Sequence, residues 1–286
     1  MKAGRRSAAV AASALASVMA LVVLLSGCAQ GGTSGASSAP GAAASAGSRA
    51  GQCRVVLDPV EFDAVSNSSP TVDCAAQHTV ETFDVVELEG FDPEAGRPDE
   101  LLLKARAGQL CAYDAMRDYI GARDRDSSRD LRIVAFAPTA REWGDGARSV
   151  RCDLAVLENE RSLVSVTGSL RDIMERSDSS ALRRCYLTAP GEEAGSGSET
   201  TCDEEHTAED VNAWLPARTG NPAAEDVPGR CAPFVRQFFA PGPVPADTVV
   251  SGILRQDGEG GAWTLRCTAA QAPGAPGPMR GSYAVG

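Results

Sequence analysis

The sequence predicts an α+β chain of two tandem small disulfide-bonded domains, each an antiparallel sheet with one packed helix. Three observations carry that expectation. Beyond Cys28 the chain holds eight cysteines in two sets of four, stepping by 21, 37 and 41 residues and then by 17, 29 and 36. Between the second and third cysteine of each set the match is literal: Cys74-Ala-Ala-Gln-His78-Thr79-Val-Glu81 recurs as Cys202-Asp-Glu-Glu-His206-Thr207-Ala-Glu209, and these are the only two histidines of the chain. Each set also frames one helical apolar stripe between β-like runs, the composition of a helix on a small sheet.

Taken in order, the chain begins with a basic head (Lys2, Arg5, Arg6) and an uncharged apolar run over 8–25, the pattern of an export signal. Leu25-Ser26-Gly27-Cys28 resembles the lipobox cut by bacterial lipoprotein signal peptidase, which implies a lipid on the Cys28 sulfur after loss of residues 1–27. Two or three acyl chains anchor stably where one is marginal. Residues 28–51, almost wholly Gly, Ala, Ser, Thr and Pro, read as a tether with a reach on the order of 25 Å. The expected location is the outer face of the cytoplasmic membrane. Without its first 27 residues the body carries a net charge of −14, which repels phosphate backbones and excludes nucleic acid as a partner.

The first repeat is expected over 52–175. Cys53, Val55 and Leu57 suggest a short strand, His78 to Leu88 a longer one. Asp99 caps a helix with the stripe Leu103, Ala107, Cys111, Ala115 and Tyr119, ending at Gly121. Leu131 to Ala137 forms the next strand, and Val150, Cys152, Leu154 and Val156 share one face of the last. The second repeat, over 182–286, places Cys231, Val235 and Phe238 on a helix that Pro233 starts near Ala232, with strands over Val249–Leu254 and Trp263–Cys267. Each copy ends in a Gly-Ser element, Gly168-Ser169-Leu170 and Gly281-Ser282-Tyr283. A tryptophan lies 32 residues after the third cysteine of each set, Trp143 and Trp263, a softer match because the onward step to the fourth cysteine differs. Residues 176–181 are the expected joint, and 190–199 a Gly/Ser/Glu loop.

An exported chain with eight body cysteines implies disulfides, and four cysteines per repeat allow three connectivities. The expected pairs are Cys53 with Cys74, Cys111 with Cys152, Cys185 with Cys202 and Cys231 with Cys267. The reason is that Cys111 on the helix stripe and Cys152 on an apolar strand face would fasten helix to sheet. A metal site through Cys74, His78 and Glu81 lacks any Cys-x2-Cys knuckle and would strand an odd thiol, so no metal or cofactor is expected. His78 and Glu81, with His206 and Glu209, are the candidate binding residues, and a local hydrogen bond is the plainer role for each histidine. No nucleophile elbow, phosphate loop or zinc-protease helix is present, so no catalytic residue is assigned.

In Val72-Asp73-Cys74, His78, Glu81, Pro138-Thr139, Trp143-x-x-Gly146, Arg151-Cys152 and Thr167-Gly168-Ser169-Leu170-Arg171 the first copy resembles the septum-formation domain of actinobacterial envelope proteins. The second copy is a degraded match that keeps Cys202, His206, Glu209, Cys231 and Cys267. The resemblance implies a division-associated, non-enzymatic lipoprotein binding an envelope or divisome protein or a cell-wall component. The alternative is a cell-wall hydrolase or small-ligand sensor using the His/Glu pairs.

Overall fold

A computed structural model describes residues 47–285 apart from 92–95, 130, 160–161, 189–196, 219, 222–223, 257 and 259. The export signal, the Cys28 motif, most of the tether and most of the 190–199 loop lie outside the described residues. Two antiparallel sheets carry the rest. The first orders β2 (Thr71–Val72), β1 (Cys53–Arg54), β3 (Val80–Glu87), β5 (Ser149–Asn159) and β4 (Leu131–Phe136), with β6 (Ser162–Leu163) paired to the far end of β5. The second runs β10 (Thr248–Gln256), β11 (Trp263–Gln271), β9 (Ala208–Pro216), β7 (Arg184–Leu187) and β8 (Ser198–Thr201). Apart from β6, the two have one topology strand for strand. The short strands β2 and β8, each beside the second cysteine of its set, have too little apolar alternation to be read from sequence.

The four disulfides are Cys53–Cys74, Cys111–Cys152, Cys185–Cys202 and Cys231–Cys267. In each repeat one bond pins the strand pair at the sheet's edge and the other pins helix to sheet. The apolar stripes behave as amphipathic patterning demands. Leu103, Ala107, Met116 and Tyr119 pack on Val150, Cys152 and Leu154, while Cys231, Val235 and Phe238 pack on Leu265, Cys267 and Ala269.

Four expectations are corrected. The single helix over 99–121 is two, α1 (Glu100–Leu110) and α2 (Tyr113–Tyr119), because Cys111 leaves helical geometry with ψ 89° where it bonds to the sheet. The second repeat's helix, α4 (Val227–Phe239), starts well before Ala232. Asp226 caps it by accepting from Gly229 N–H, Pro228 occupies the first turn, and Pro233 is carried inside at the loss of one helical bond. Beyond Arg54 the strand alternation fails: Val56 is buried, while Val55 and Leu57 face solvent. The tryptophans are not equivalent. Trp143 sits in the short helix α3 (Ala140–Gly144), capped by Thr139 and Glu142, whereas Trp263 opens β11.

The segment between the repeats is packed. It forms two 3-10 turns, Ile173–Glu175 and Ser177–Ala181, with Ile173, Met174 and Leu182 in the first core. Arg183, fully buried, donates to Met174 O (2.6 Å), Ser179 Oγ (2.9 Å) and Asp126 Oδ1 (2.8 Å). The loop after α2 meets the second repeat: Arg125 donates to Asn212 O and Asn212 Nδ2 to Asp124 O. Asn212 holds φ 48°, unusual for a residue with a side chain, and its N–H reaches Asp210.

Candidate functional site

His78 ends the turn that enters β3, and its backbone bridges Val166 in both directions, N–H to O at 3.0 Å and O from N–H at 2.8 Å. His206 does the same with Met279, at 3.0 and 2.9 Å. Each histidine therefore fastens the distant C-terminal segment of its own repeat beside the first long strand. The Gly-Ser element completes the contact. Gly168 donates to Cys74 O (2.7 Å) and Gly281 to Cys202 O (2.6 Å). Both glycines lie at positive φ, 83° and 92°, where a Cβ would be strained, which is why this position is Gly in each copy.

The next two residues hold the glutamate. Ser169 Oγ donates to Glu81 Oε1 (2.6 Å) and Leu170 N–H to Glu81 Oε2 (2.7 Å). Ser282 Oγ donates to Glu209 Oε1 and Tyr283 N–H to Glu209 Oε2, each at 2.7 Å. The third residue bonds the glutamate through its backbone, which either Leu or Tyr can supply, while its side chain packs against the core of its repeat. Two donors on one carboxylate, anchored by a disulfide and a histidine bridge, form the same clasp in both repeats.

The rings are equally enclosed. His78 Nδ1 lies 3.0 Å from Ala76 O and His206 Nδ1 2.8 Å from Glu204 O. A carbonyl can only accept, so Nδ1 carries the proton in both. Nε2 then separates the copies. In the first it faces Glu81 Oε2 at 3.8 Å, while Glu81 also accepts from Tyr119 OH. Burial lowers the His78 pKa, but the nearby Glu81 carboxylate and the Ala76 carbonyl outweigh it, and the net direction is up. Burial likewise raises Glu81, yet the neighbouring His78 ring and the donors Ser169, Tyr119 and Leu170 bring it below the usual carboxylate range. In the second copy burial holds His206 below its ordinary value. Glu209 accepts from no tyrosine hydroxyl; its extra partner is Arg183, 3.7 Å away and already paired with Asp126. Burial, only partly offset by Arg183, Ser282 and Tyr283, pushes Glu209 up to about 7.

A carboxyl raised on folding binds its proton more tightly in the native state, so its stability contribution is complete below about 4.5 and declines as pH rises to about 7. His206, lowered on folding, has the opposite sign and gains stability as pH rises to about 6.5. Subtracting the Tm–pH curve of Glu209→Gln from that of the wild type isolates the Glu209 contribution. We expect this difference to fall between about pH 4.5 and 7, by about 3 kcal/mol. Parallel curves would contradict it.

Cys53, His78 and Glu81 bring potential ligand atoms within 4.8 Å of one another, as do Cys185, Cys202 and His206. The sulfurs are spent in disulfides and offer no thiolate. All four candidate binding side chains, His78, Glu81, His206 and Glu209, are 0–1% exposed. The glutamates are turned onto the segments they hold, and each ring bonds a carbonyl of its own turn. Sequence reading missed Tyr119, Ser169, Ser282 and Arg183 as their partners. The repeated Gly-Ser pair was the available signal for the serines, while nothing local marks Arg183.

Fold and clasps define a disulfide-bonded two-repeat α+β protein whose matched polar residues close the repeats. The chain belongs to the septum formation family, whose model matches residues 50–240. That match takes in both His–Glu pairs and ends one residue past α4, before the second Gly-Ser element. Neither a curated protein nor a solved structure matches the chain. The family's description names a process, septum formation, and no reaction.

Proposed function

We propose that the protein is a non-enzymatic cell-envelope lipoprotein, a binding module in septum formation or cell-wall organisation, held by Cys28 on the outer face of the cytoplasmic membrane. Its partner is an envelope or divisome protein or a cell-wall component. The observation that carries the reading is the burial of His78, Glu81, His206 and Glu209. A general acid or base must reach the proton it moves, and these groups face carbonyls, hydroxyls and amides of their own chain. Four disulfides suit an oxidising compartment, and Leu25-Ser26-Gly27-Cys28 supplies the anchor. The test is incubation of the purified chain with peptidoglycan fragments. We expect no new cleavage product over long incubation, with or without measurable binding. Turnover that disappears in Glu81→Gln or Glu209→Gln would establish the hydrolase reading instead.

A further inference from the structure

We infer that the free edge of β4 is a docking strand for an extended, acidic peptide segment of a partner protein. This rests on the interaction-module reading above and gives it a surface. Val164 N–H donates to Val156 O, so the backbone groups of Val156 point away from β4, and its cross-strand partner Leu131 must point away from β5. The alternation then turns the N–H and C=O groups of Leu131, Ile133 and Ala135 outward. Two neighbours of the same parity are already taken. Arg129 N–H donates to Leu182 O at one end and Ala137 N–H to Val65 O (2.8 Å) at the other. Between them β4 pairs only with β5, and no described residue bonds the three outward pairs of groups. The chain itself thus brackets an opening about five residues long, the length of an ordinary strand.

Six unpaired backbone groups in a row are a template for one more strand, and proteins seldom leave such an edge uncharged or uncovered. Beside it lies a cleft of about 200 Å³ between β4 and α1, bordered by Phe62, Asp63, Lys104, Gly108 and Arg132. Lys104, whose Nζ donates to Phe62 O and Ala64 O, and Arg132, 3.8 Å from Asp63, leave one net positive charge here, on a body that is otherwise strongly acidic. Two copies pairing β4 to β4 would bring these cations together. An incoming strand with a carboxylate would meet them favourably, so the charge favours a different, acidic chain.

A phage-displayed library of random heptapeptides, selected on the full chain, tests the inference. The expected enriched peptides alternate apolar and polar residues, carry an acid, and slow amide exchange at Leu131, Ile133 and Ala135. Ile133→Pro should weaken them at least tenfold. Lys104→Gln keeps a donor for the Phe62 and Ala64 carbonyls while removing the charge, and should weaken them too, which keeps the test decisive if the proline variant does not fold. Peptides that protect other segments, no enrichment at all, or edge protection that grows with protein concentration in the absence of peptide would each overturn it. Capture of a cellular partner that persists undiminished in folded Ile133→Pro would remove the edge while leaving the interaction module standing.

Discussion

Arg183→Met is expected to destabilise the protein by about 3–5 kcal/mol, because removing one member of a buried ionic cluster strands the others. Asp126 and Glu209, both buried, would lose their shared guanidinium, and Met174 O and Ser179 Oγ would lose a donor. Arg123, half exposed, still reaches Asp126 at 3.0 Å and limits the loss on that side. The effect should cross the repeat boundary, since Asp126 follows α2 in the first repeat and Glu209 lies on β9 in the second. Wild type should melt in one transition, and Asp126→Asn combined with Arg183→Met should cost less than the sum of the two singles. Calorimetry and a double-mutant cycle measure both. Strict additivity with two resolved transitions would show that the repeats are energetically separate.

Glu81→Ala should cost a comparable amount, about 3–5 kcal/mol. It leaves Tyr119 OH, Ser169 Oγ and the Leu170 N–H without their acceptor in the interior and His78 without its counter-charge. Glu81→Gln keeps an acceptor for part of the cluster and should cost less. Hydrogen exchange should rise over 164–170 in the alanine variant, as the segment held at Val166 and Gly168 is released. A melting temperature within about a degree of wild type would mean that the clasp carries little of the stability.

The repeat, the disulfide pairing and the Gly-Ser element are legible in the sequence because each depends on residues of fixed type at matched spacing. Cys111 on an apolar helical stripe and Cys152 on an apolar strand face already imply a bond between the layers. The clasp itself was half legible: His78 and Glu81 stand out as repeated polar residues, but Val166 and Ser169, which they meet, each lie 88 residues further along. Arg183 was not legible. In Leu182-Arg183-Arg184-Cys185 it looks like any solvated charge, and it is buried only because the two repeats close over it. The break between α1 and α2 was hidden for a related reason: the stripe runs unbroken through Cys111 in sequence, and only its bond to Cys152 turns the chain there. Trp143 and Trp263 show the converse, since equal spacing placed them in a helix and a strand.

The claim at the centre of the account is that the matched histidines close the fold and do not meet a ligand. In vivo crosslinking of cells expressing His78→Ala or His206→Ala, with captured partner normalised to folded protein and Tm measured on the same variants, tests it most directly. A lowered Tm is expected, by the worth of a hydrogen bond of about 0.5–1.5 kcal/mol, with partner capture per folded molecule unchanged. A variant that keeps its Tm and loses its partner would contradict it.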